Sequence, residues 1–188
     1  AQRAEIEKAQ RVEKIKAEEQ LKKDYKIIND YLIKNNITAQ KAPGGTYVEI
    51  IKPGNGAKVD TTVVVKTNYT GKTLEGVTFD SNTDPTFSHV TPLNVNMTSD
   101  YSLGGGVIEG WADGLSMLSE GTVAKFYIPS GLAYGTQGNG NKIPPNTNLV
   151  FDIEVLKVMS KAEAKAEIEK ENADYKRYMD SRSGRAHV

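Results

Sequence analysis

The sequence predicts an α+β fold in which antiparallel strands and one short helix form a central domain, with a long helix on each side of it. Two observations carry this prediction. Residues 1–36 and 160–188 hold 29 of the 48 charged side chains of this 188-residue chain, whereas the middle alternates apolar and polar residues. A composition break of this kind marks charged flanks around a compact domain of ordinary size. We therefore divide the chain into an N-terminal helical extension (residues 1–43), a central domain (residues 44–159) and a C-terminal helical tail (residues 160–188).

The N-terminal extension is predicted to be one long helix. It has no Gly or Pro before Pro43 and is rich in Ala, Glu, Lys, Gln and Leu, which favour helices. Its second half carries an apolar stripe formed by Ala17, Leu21, Tyr25, Ile28 and Leu32. Because an isolated helix needs a surface to pack on, two alternatives stay open. The helix docks on its own domain, or it pairs with a second copy of the chain and forms a homodimer.

The central domain is predicted to consist mainly of strands. Residues 47–51 form a short strand that ends at the turn cluster of residues 52–56. Residues 62–69, 122–128 and 148–158 alternate as half-buried strands do. The apolar faces comprise Val63, Val65, Thr67 and Tyr69; Ala124, Phe126 and Ile128; and Phe151, Ile153 and Val155. Antiparallel strands of this kind keep one polar face, so we expect one covering layer.

A short helix is predicted to provide that covering layer. Its apolar residues Ile108, Trp111, Leu115 and Leu118 recur at helical spacing.

The C-terminal tail begins at Ser160 with a capping-box sequence, since Glu163 follows three residues later. We expect this tail to be helical to Met179 and to fray over residues 181–188.

Composition argues against several classes of function. The 24 Lys and Arg balance the 24 Asp and Glu, so binding of nucleic acid or of an anionic membrane through net charge is not expected. The chain has no Cys and two His, His89 and His187, which argues against a thiol nucleophile, a Cys-based zinc site and a His-based triad. No run approaches the roughly 20 apolar residues of a membrane span. We expect no metal and no cofactor.

Two weak signals and one stronger signal for chemistry remain. Asp80 and Asp113 are carboxylates at unknown separation, and solvated loop carboxylates are commoner than catalytic pairs. Residues 104–106 are three glycines before a helix, but the Gly-Lys-Ser/Thr continuation of a phosphate-binding loop is missing. The stronger signal is a set of aromatic and aliphatic residues beside turns, because Trp and Tyr line pockets as well as cores. The set comprises Tyr69, Phe79, Val107, Ile108, Trp111, Tyr134, Ile143 and Phe151.

The surroundings of these residues resemble the FKBP-type peptidyl-prolyl cis-trans isomerases, the FK506-binding family. The resemblance covers residues 44–158 and rests on motifs in a fixed order: Asn68-Tyr-Thr-Gly71, Phe79-Asp-Ser81, Val107-Ile-Glu-Gly-Trp111, Ala133-Tyr-Gly135, Ile143-Pro-Pro-Asn146 and Leu149-Val-Phe-Asp-Ile-Glu154. It implies a bent antiparallel sheet wrapped around one short helix. It also implies an enzyme that accelerates X–Pro bond rotation and assists folding, with proline-containing polypeptides as clients and macrolide inhibitors as further ligands.

The resemblance also implies roles for single residues. Trp111 matches the aromatic floor of a proline pocket, Asp80 a carboxylate in its wall and Tyr134 a hydroxyl donor in a long loop. The backbone N–H of Ile108 is expected to bind the substrate carbonyl. The walls of the pocket are matched by Tyr69, Phe79, Val107, Ile108 and Phe151. Ile143 matches an aliphatic residue on the far side of the long loop, and Phe87 is the candidate for the second wall aromatic. Asn139 and Lys142 stand where many members carry a His and an aliphatic residue.

Two alternatives to an enzyme stay open. One is a proline-binding or chaperone module with little turnover, since two pockets on one dimer raise the effective concentration for a client. The other is a structural domain whose filled hollow leaves Trp111 insensitive to proline peptides. The resemblance further implies the periplasm or outer envelope of a Gram-negative bacterium, where a membrane anchor could have preceded Ala1. We expect removal of residues 1–36 to lower oligomeric order or client protection and to leave turnover nearly unchanged.

Overall fold

A computed structural model of the chain describes residues 1–184. Its helices are α1 (Gln2–Lys34), α2 (Glu109–Leu115) and α3 (Lys161–Ser183). Its strands are β1 (Gln40–Lys41), β2 (Tyr47–Lys52), β3 (Val63–Thr73), β4 (Thr78–Ser81), β5 (Leu93–Asn96), β6 (Val123–Ile128) and β7 (Leu149–Ser160). Short 3₁₀ turns span Pro85–Phe87, Tyr101–Leu103 and Ser130–Leu132. The predicted fold class is confirmed, whereas the last four residues of the predicted fraying end, 185–188, lie outside the described residues.

The seven strands of residues 1–184 form one antiparallel sheet. Their order is β1-β2-β6-β7-β3-β4, and β5 pairs with β3. Strands β3 and β7 pair along their full length, with a register shift where Thr67 lies opposite Val155 but Lys66 lies opposite Lys157. The extra residue of β7 at this bulge reverses the faces that its later side chains occupy. For this reason Val155 and Val158 both pack on the inner side of the sheet.

The inner face of the sheet packs on α2, as the apolar spacing predicts. Leu115 of α2 and Phe126 and Ile128 of β6 are fully buried there. Two glycines allow the close approach of the helix. A Cβ atom at Gly110 would lie 2.4 Å from Ile128 Cγ2, and one at Gly114 would lie 2.8 Å from the Phe126 ring. These glycines place the intervening Trp111 directly over the sheet.

The outer face of the sheet is covered by α1 at one end, which the alternation of β6 and β7 does not predict. Tyr127 and Val150 are paired neighbours on these strands and are buried against Ile28 and Leu32 of α1. Full burial of one such aliphatic side chain stabilises a fold by about 1.5–3 kcal/mol. The second half of α1 therefore docks on its own domain. By contrast, residues 1–19 are exposed along their whole length.

Helix α3 covers the other end of the outer face. Val64 of β3 and Met159 of β7 are paired and buried with Ala164 of α3. The predicted capping box is confirmed: Glu163 N–H donates to Ser160 Oγ (3.1 Å), and Ser160 N–H donates to Glu163 Oε1 (3.3 Å). None of the helices in residues 1–184 combines the length and the apolar character needed to cross a bilayer.

An ion pair that joins α3 to β3 makes one contribution to stability dependent on pH. Lys66 Nζ lies 2.7 Å from Glu167 Oε1, and each side chain is about one quarter exposed. The hydrogen bond from this ammonium group lowers the pKa of Glu167, and Asn94 and Lys157 act in the same direction. A lowered carboxyl pKa stabilises the fold above the usual Glu pKa of about 4.3, and this contribution is lost as the pH falls through the lower folded-state value.

We expect Glu167→Gln to lower the thermal unfolding midpoint at neutral pH by a few degrees, because the ion pair is removed. The difference from the wild type should shrink as the pH falls below about 4.3, since the wild-type carboxylate is then protonated as well. Glu169→Gln, at an exposed position of the same helix, is the matched control. A wild-type advantage over Glu167→Gln that is as large at pH ~3 as at neutral pH would contradict this prediction.

Candidate functional site

A cavity of about 300 Å³ lies between β4 and the long loop that follows β6. Phe79 and Asp80 line it from β4, and Tyr134 and Ile143 line it from the loop. The lining is completed by Asn139, Gly140, Asn141 and Lys142. Four of the predicted site residues, from segments about sixty residues apart in the chain, thus surround one cavity.

A chain of four aromatic rings leads from the cavity into the core. Phe79 packs on Phe151 (5.5 Å between ring centroids), Phe151 on Trp111 (5.2 Å), and Trp111 on Tyr69 (5.3 Å). Each pair is nearly perpendicular, at 79–82°, which is a favoured geometry for aromatic contacts. The predicted wall residues Val107 and Ile108 are half-buried against the same cluster.

Trp111 is buried in this arrangement, with 3% of its surface exposed, and it does not line the cavity. Its role as the floor of a proline pocket stays a prediction. The half-buried Phe79, Val107 and Ile108 pack against the core cluster that contains Trp111. Because so little of the indole is exposed, its contact with a proline ring requires neighbouring side chains to shift. As the single Trp of the chain, it reports such a shift directly through its fluorescence.

The carboxylate of Asp80 is held on both oxygens. Tyr69 Oη donates to Oδ2 over 2.6 Å, and His89 Nε2 lies 2.7 Å from Oδ1. Burial, and then the hydrogen bond to Asp80, raise the pKa of Tyr69 well above its usual range. The Tyr69 phenol therefore stays protonated at neutral pH and remains a donor, so the network fixes the orientation of the Asp80 carboxylate in the cavity wall.

Two residues of this network were not predicted from the sequence. His89 follows Asp80 by nine residues, within the segment between β4 and β5, and no sequence pattern links the two. Asn82 is buried; its Oδ1 accepts the N–H of Tyr69 (2.8 Å), and its Nδ2 donates to the carbonyl of Thr67 (3.0 Å). These bonds fasten the start of the segment to β3. The proximity of Asn82 to Asp80 in the sequence was the available signal.

Phe87 lies outside the lining of the cavity. Its ring lies 5.0 Å from Lys142 Nζ, within the range of a cation–π contact. Since Lys142 does line the cavity, this contact joins the turn of residues 85–87 to the long loop. The predicted role of Phe87 as a wall aromatic stays a prediction.

The tip of the long loop is shaped by a glycine. Gly138 has φ of +65°, and a Cβ atom there would lie 2.4 Å from the carbonyl oxygen of Ile143. Asn139 N–H donates to the same oxygen over 2.8 Å. Because only glycine fits this conformation and approach, the tip holds Ile143 in place at the cavity.

Asp113, the other carboxylate singled out in the sequence, fastens backbone segments together. Its Oδ1 accepts the N–H of Gly44 (2.7 Å), and its Oδ2 accepts the N–H of Thr46 (2.8 Å). These bonds attach the segment before β2 to α2. Asp113 does not line the cavity, so the structure does not place it in an acid–base pair with Asp80.

Gly71 of β3 leaves room for two rings of the aromatic chain, which gives a testable prediction. A Cβ atom there would lie 2.6 Å from Phe79 Cζ and 2.7 Å from Phe151 Cε1. We expect Gly71→Ala to push the half-buried Phe79 ring toward the cavity, to lower the free energy of unfolding by about 1–3 kcal/mol and to weaken proline-peptide binding several-fold. Urea unfolding and peptide titration measure the two effects. In the control Gly105→Ala the new Cβ atom meets nothing within 4 Å, and equal effects of the two variants would contradict the prediction.

The fold and the cavity define a class of protein: an α+β domain with an aromatic-walled hollow between a sheet and a long loop. The family model for FKBP-type peptidyl-prolyl cis-trans isomerase matches residues 55–156, more than half of the chain. The chain belongs to this family, and the resemblance inferred from the ordered motifs is confirmed.

Individual relatives match the chain to different extents. The FKBP-type peptidyl-prolyl cis-trans isomerase FkpA of Aeromonas hydrophila is 40% identical over 114 residues, which are 61% of this chain and 38% of that protein. FK506-binding protein 1 of Saccharomyces cerevisiae is 40% identical over 116 residues, which are 61% of this chain and 94% of that protein. The crystal structure of FkpA from Escherichia coli matches with a TM-score of 0.58 and 28% identity, over 84% of this chain and 70% of that one. The chain thus spans well under half of the length of the Aeromonas protein.

Proposed function

We propose that this chain is a peptidyl-prolyl cis-trans isomerase that accelerates rotation about X–Pro bonds in polypeptides and thereby assists their folding. Family membership supports the proposal. The observation that carries it is the convergence of Phe79, Asp80, Tyr134 and Ile143 around one cavity at the end of the aromatic chain that includes Trp111.

The chemistry of this reaction suits an apolar hollow. The X–Pro bond rotates over a barrier of about 18–20 kcal/mol and takes tens to hundreds of seconds unaided. The twisted transition state loses amide resonance, so its carbonyl is less polar than that of the planar amide. It therefore gives up less hydration free energy than the planar amide when it moves from water into the cavity. A site that binds the twisted form better lowers the barrier. A gain of roughly 10⁴–10⁶ in rate corresponds to about 5–8 kcal/mol, and no nucleophile, metal or titrating base is required.

The side chains around the cavity have distinct parts in this proposal. Phe79 and Ile143 contact the two sides of the proline ring, and the ring reaches the Trp111 indole when the side chains around the indole shift. The hydroxyl of Tyr134 and the backbone N–H of Ile108 donate hydrogen bonds to the substrate carbonyls. Asp80, held by Tyr69 and His89, gives the wall a negative charge in a fixed orientation. The remaining wall is formed by Val107 and Phe151, with Phe87 at its outer side.

A turnover assay tests the proposal. We expect catalytic amounts of the chain to accelerate cis-to-trans conversion of an Ala-Leu-Pro-Phe peptide in proportion to enzyme concentration. Turnover at the uncatalysed rate would contradict the enzyme proposal. If the peptide nevertheless changed Trp111 fluorescence, the second candidate, a proline-binding or chaperone module, would be favoured. That candidate is supported by the exposed apolar residues of α1, Ile6, Val12 and Ile15.

Further parts of the proposal concern partners and location. We propose that residues 1–19 pair with a second copy of the chain through Ile6, Val12 and Ile15, and sedimentation of a monomer at all concentrations would contradict this. Macrolide inhibitors are proposed ligands of the same cavity, and the name of the yeast relative, FK506-binding protein 1, states that that protein binds FK506. The three-part division at residues 43/44 and 159/160 and a location in the periplasm or outer envelope of a Gram-negative bacterium stay proposals, the latter supported by similar bacterial proteins.

A further inference from the structure

A buried carboxylate on α1 contacts the segment that leads to Tyr134. Asp24 is 0% exposed. Its Oδ2 accepts the N–H of Ser130 (3.1 Å) and the hydroxyl of Ser130 (2.6 Å), and its Oδ1 accepts a hydrogen bond from Gln20 Nε2 (3.0 Å). A carboxylate is costly to bury unless hydrogen bonds satisfy its oxygens. The contact between these two residues, 106 positions apart in the sequence, is therefore geometrically specific.

Ser130 connects Asp24, through hydrogen bonds, to the backbone on both sides of Tyr134. It is 1% exposed and begins the 3₁₀ turn Ser130–Leu132. Its carbonyl oxygen accepts the N–H of Ala133 (3.0 Å) and the N–H of Gly135 (2.9 Å). A continuous series of hydrogen bonds thus runs from α1 to the two residues that flank Tyr134.

Docking of α1 does not require a charge at this position. Ile28 and Leu32, one and two turns further along the same helix, already pack on the sheet. An apolar residue of similar size in place of a buried ion is often neutral or stabilising. The carboxylate therefore contributes something that apolar packing does not supply, namely the acceptor that orients the Ser130 hydroxyl. It shares the Ser130 N–H with Asn148 Oδ1, which lies 3.0 Å from that nitrogen.

We propose that Asp24 is a positioning residue for the isomerase reaction, acting through Ser130 on the loop that presents Tyr134 at the cavity. The inference rests on the proposed function, because it concerns the productive placement of the Tyr134 hydroxyl. Without the carboxylate the turn after Ser130 relaxes, and the hydroxyl spends less time where it donates to the substrate. Displacements of about 1 Å at a reacting group are enough to lower turnover substantially.

A double-mutant cycle tests the proposal, using kcat and KM for a proline tetrapeptide. We expect Asp24→Ala to lower kcat/KM by about 3–10-fold, mainly through kcat. In the Tyr134→Phe background the same change should lower kcat/KM by less than about twofold, because the hydroxyl that Asp24 positions is already gone. Asp24→Asn, which keeps one acceptor oxygen, should restore part of the loss. An equally large decrease of kcat/KM in the wild-type and Tyr134→Phe backgrounds would overturn the proposal, and so would an unchanged kcat/KM in Asp24→Ala.

Two further variants separate positioning from general weakening of the helix. Leu32→Ala loosens α1 at a site away from Ser130 and should leave kcat/KM within about twofold of the wild type. If Asp24→Ala does not fold, Ser130→Ala removes only the hydroxyl donor, and we expect a smaller loss of kcat with the same dependence on Tyr134.

Hydrogen exchange adds a readout that does not depend on turnover. The Gly135 amide should exchange at least about tenfold faster in Asp24→Ala than in Leu32→Ala, and equal protection would overturn the link. Background turnover in the wild type would instead contradict the proposed function itself, so the two failures are distinguishable.

Discussion

A chain without residues 1–36 is expected to lose about 3–6 kcal/mol of its free energy of unfolding. The deletion removes Ile28 and Leu32 and uncovers Tyr127 and Val150 on the outer face of the sheet. Because domains are stable by only about 5–15 kcal/mol, a loss of this size leaves a marginally folded domain. Urea unfolding followed by circular dichroism measures it. We also expect turnover to fall, through the Asp24 contact, which replaces the sequence-based expectation of unchanged turnover.

Deletion of residues 1–16 is the matched control for this experiment. These residues are exposed, and the shortened helix still carries Asp24, Ile28 and Leu32. We expect its free energy of unfolding to lie within about 0.5 kcal/mol of the wild type. Equal stabilities of the two deletion variants would show that the docking of α1 contributes nothing, contrary to the packing on Tyr127 and Val150.

Asp80→Ala is expected to lower kcat/KM by about 10–100-fold. The substitution deprives the partly buried Tyr69 hydroxyl of its acceptor and releases His89, both of which contact the carboxylate. The loss of a hydrogen bond to a charged group costs about 1.5–3 kcal/mol. The wall of the cavity then loses its charge and its fixed geometry together. Turnover of the proline tetrapeptide measures the effect.

Two control variants divide this effect into its parts. Asp80→Asn keeps an oxygen that accepts from the Tyr69 hydroxyl, so its smaller loss isolates the contribution of the charge. Asp60→Ala removes a carboxylate that bonds Thr62 at an exposed site and should leave kcat/KM unchanged. Wild-type turnover in Asp80→Ala would contradict a role for the carboxylate.

The sequence predicts the inner half of the fold well, because alternation reports local burial. Phe126 and Ile128 stand on the predicted apolar face and are buried there. Tyr127 and Val150 occupy the face that the same alternation marks as polar, yet they are buried too. Their burial depends on a helix about a hundred residues earlier in the chain, and a local pattern carries no information about such a contact.

In the candidate site, too, the sequence predicts some residues and misses contacts that depend on distant parts of the chain. The ordered motifs predict Asp80, Tyr134 and Ile143 as parts of one site, and the structure brings them to one cavity. The pairing of His89 with Asp80 depends on the conformation of the segment between β4 and β5. The contact of Asp24 with Ser130 depends on where α1 docks. Neither geometry leaves a trace in residue spacing.

Exchange NMR of a peptide with labelled proline shows whether the cavity beside Trp111 catalyses X–Pro rotation, since it records the isomerisation rate and the position of the ring in one sample. We expect substoichiometric amounts of the chain to speed cis–trans exchange. Nuclear Overhauser contacts should link the proline ring to the Trp111 indole and to Ile143. Exchange at the uncatalysed rate would contradict isomerase activity, and catalysed exchange with the proline ring in contact with some other part of the chain would contradict the assignment of the reaction to this cavity.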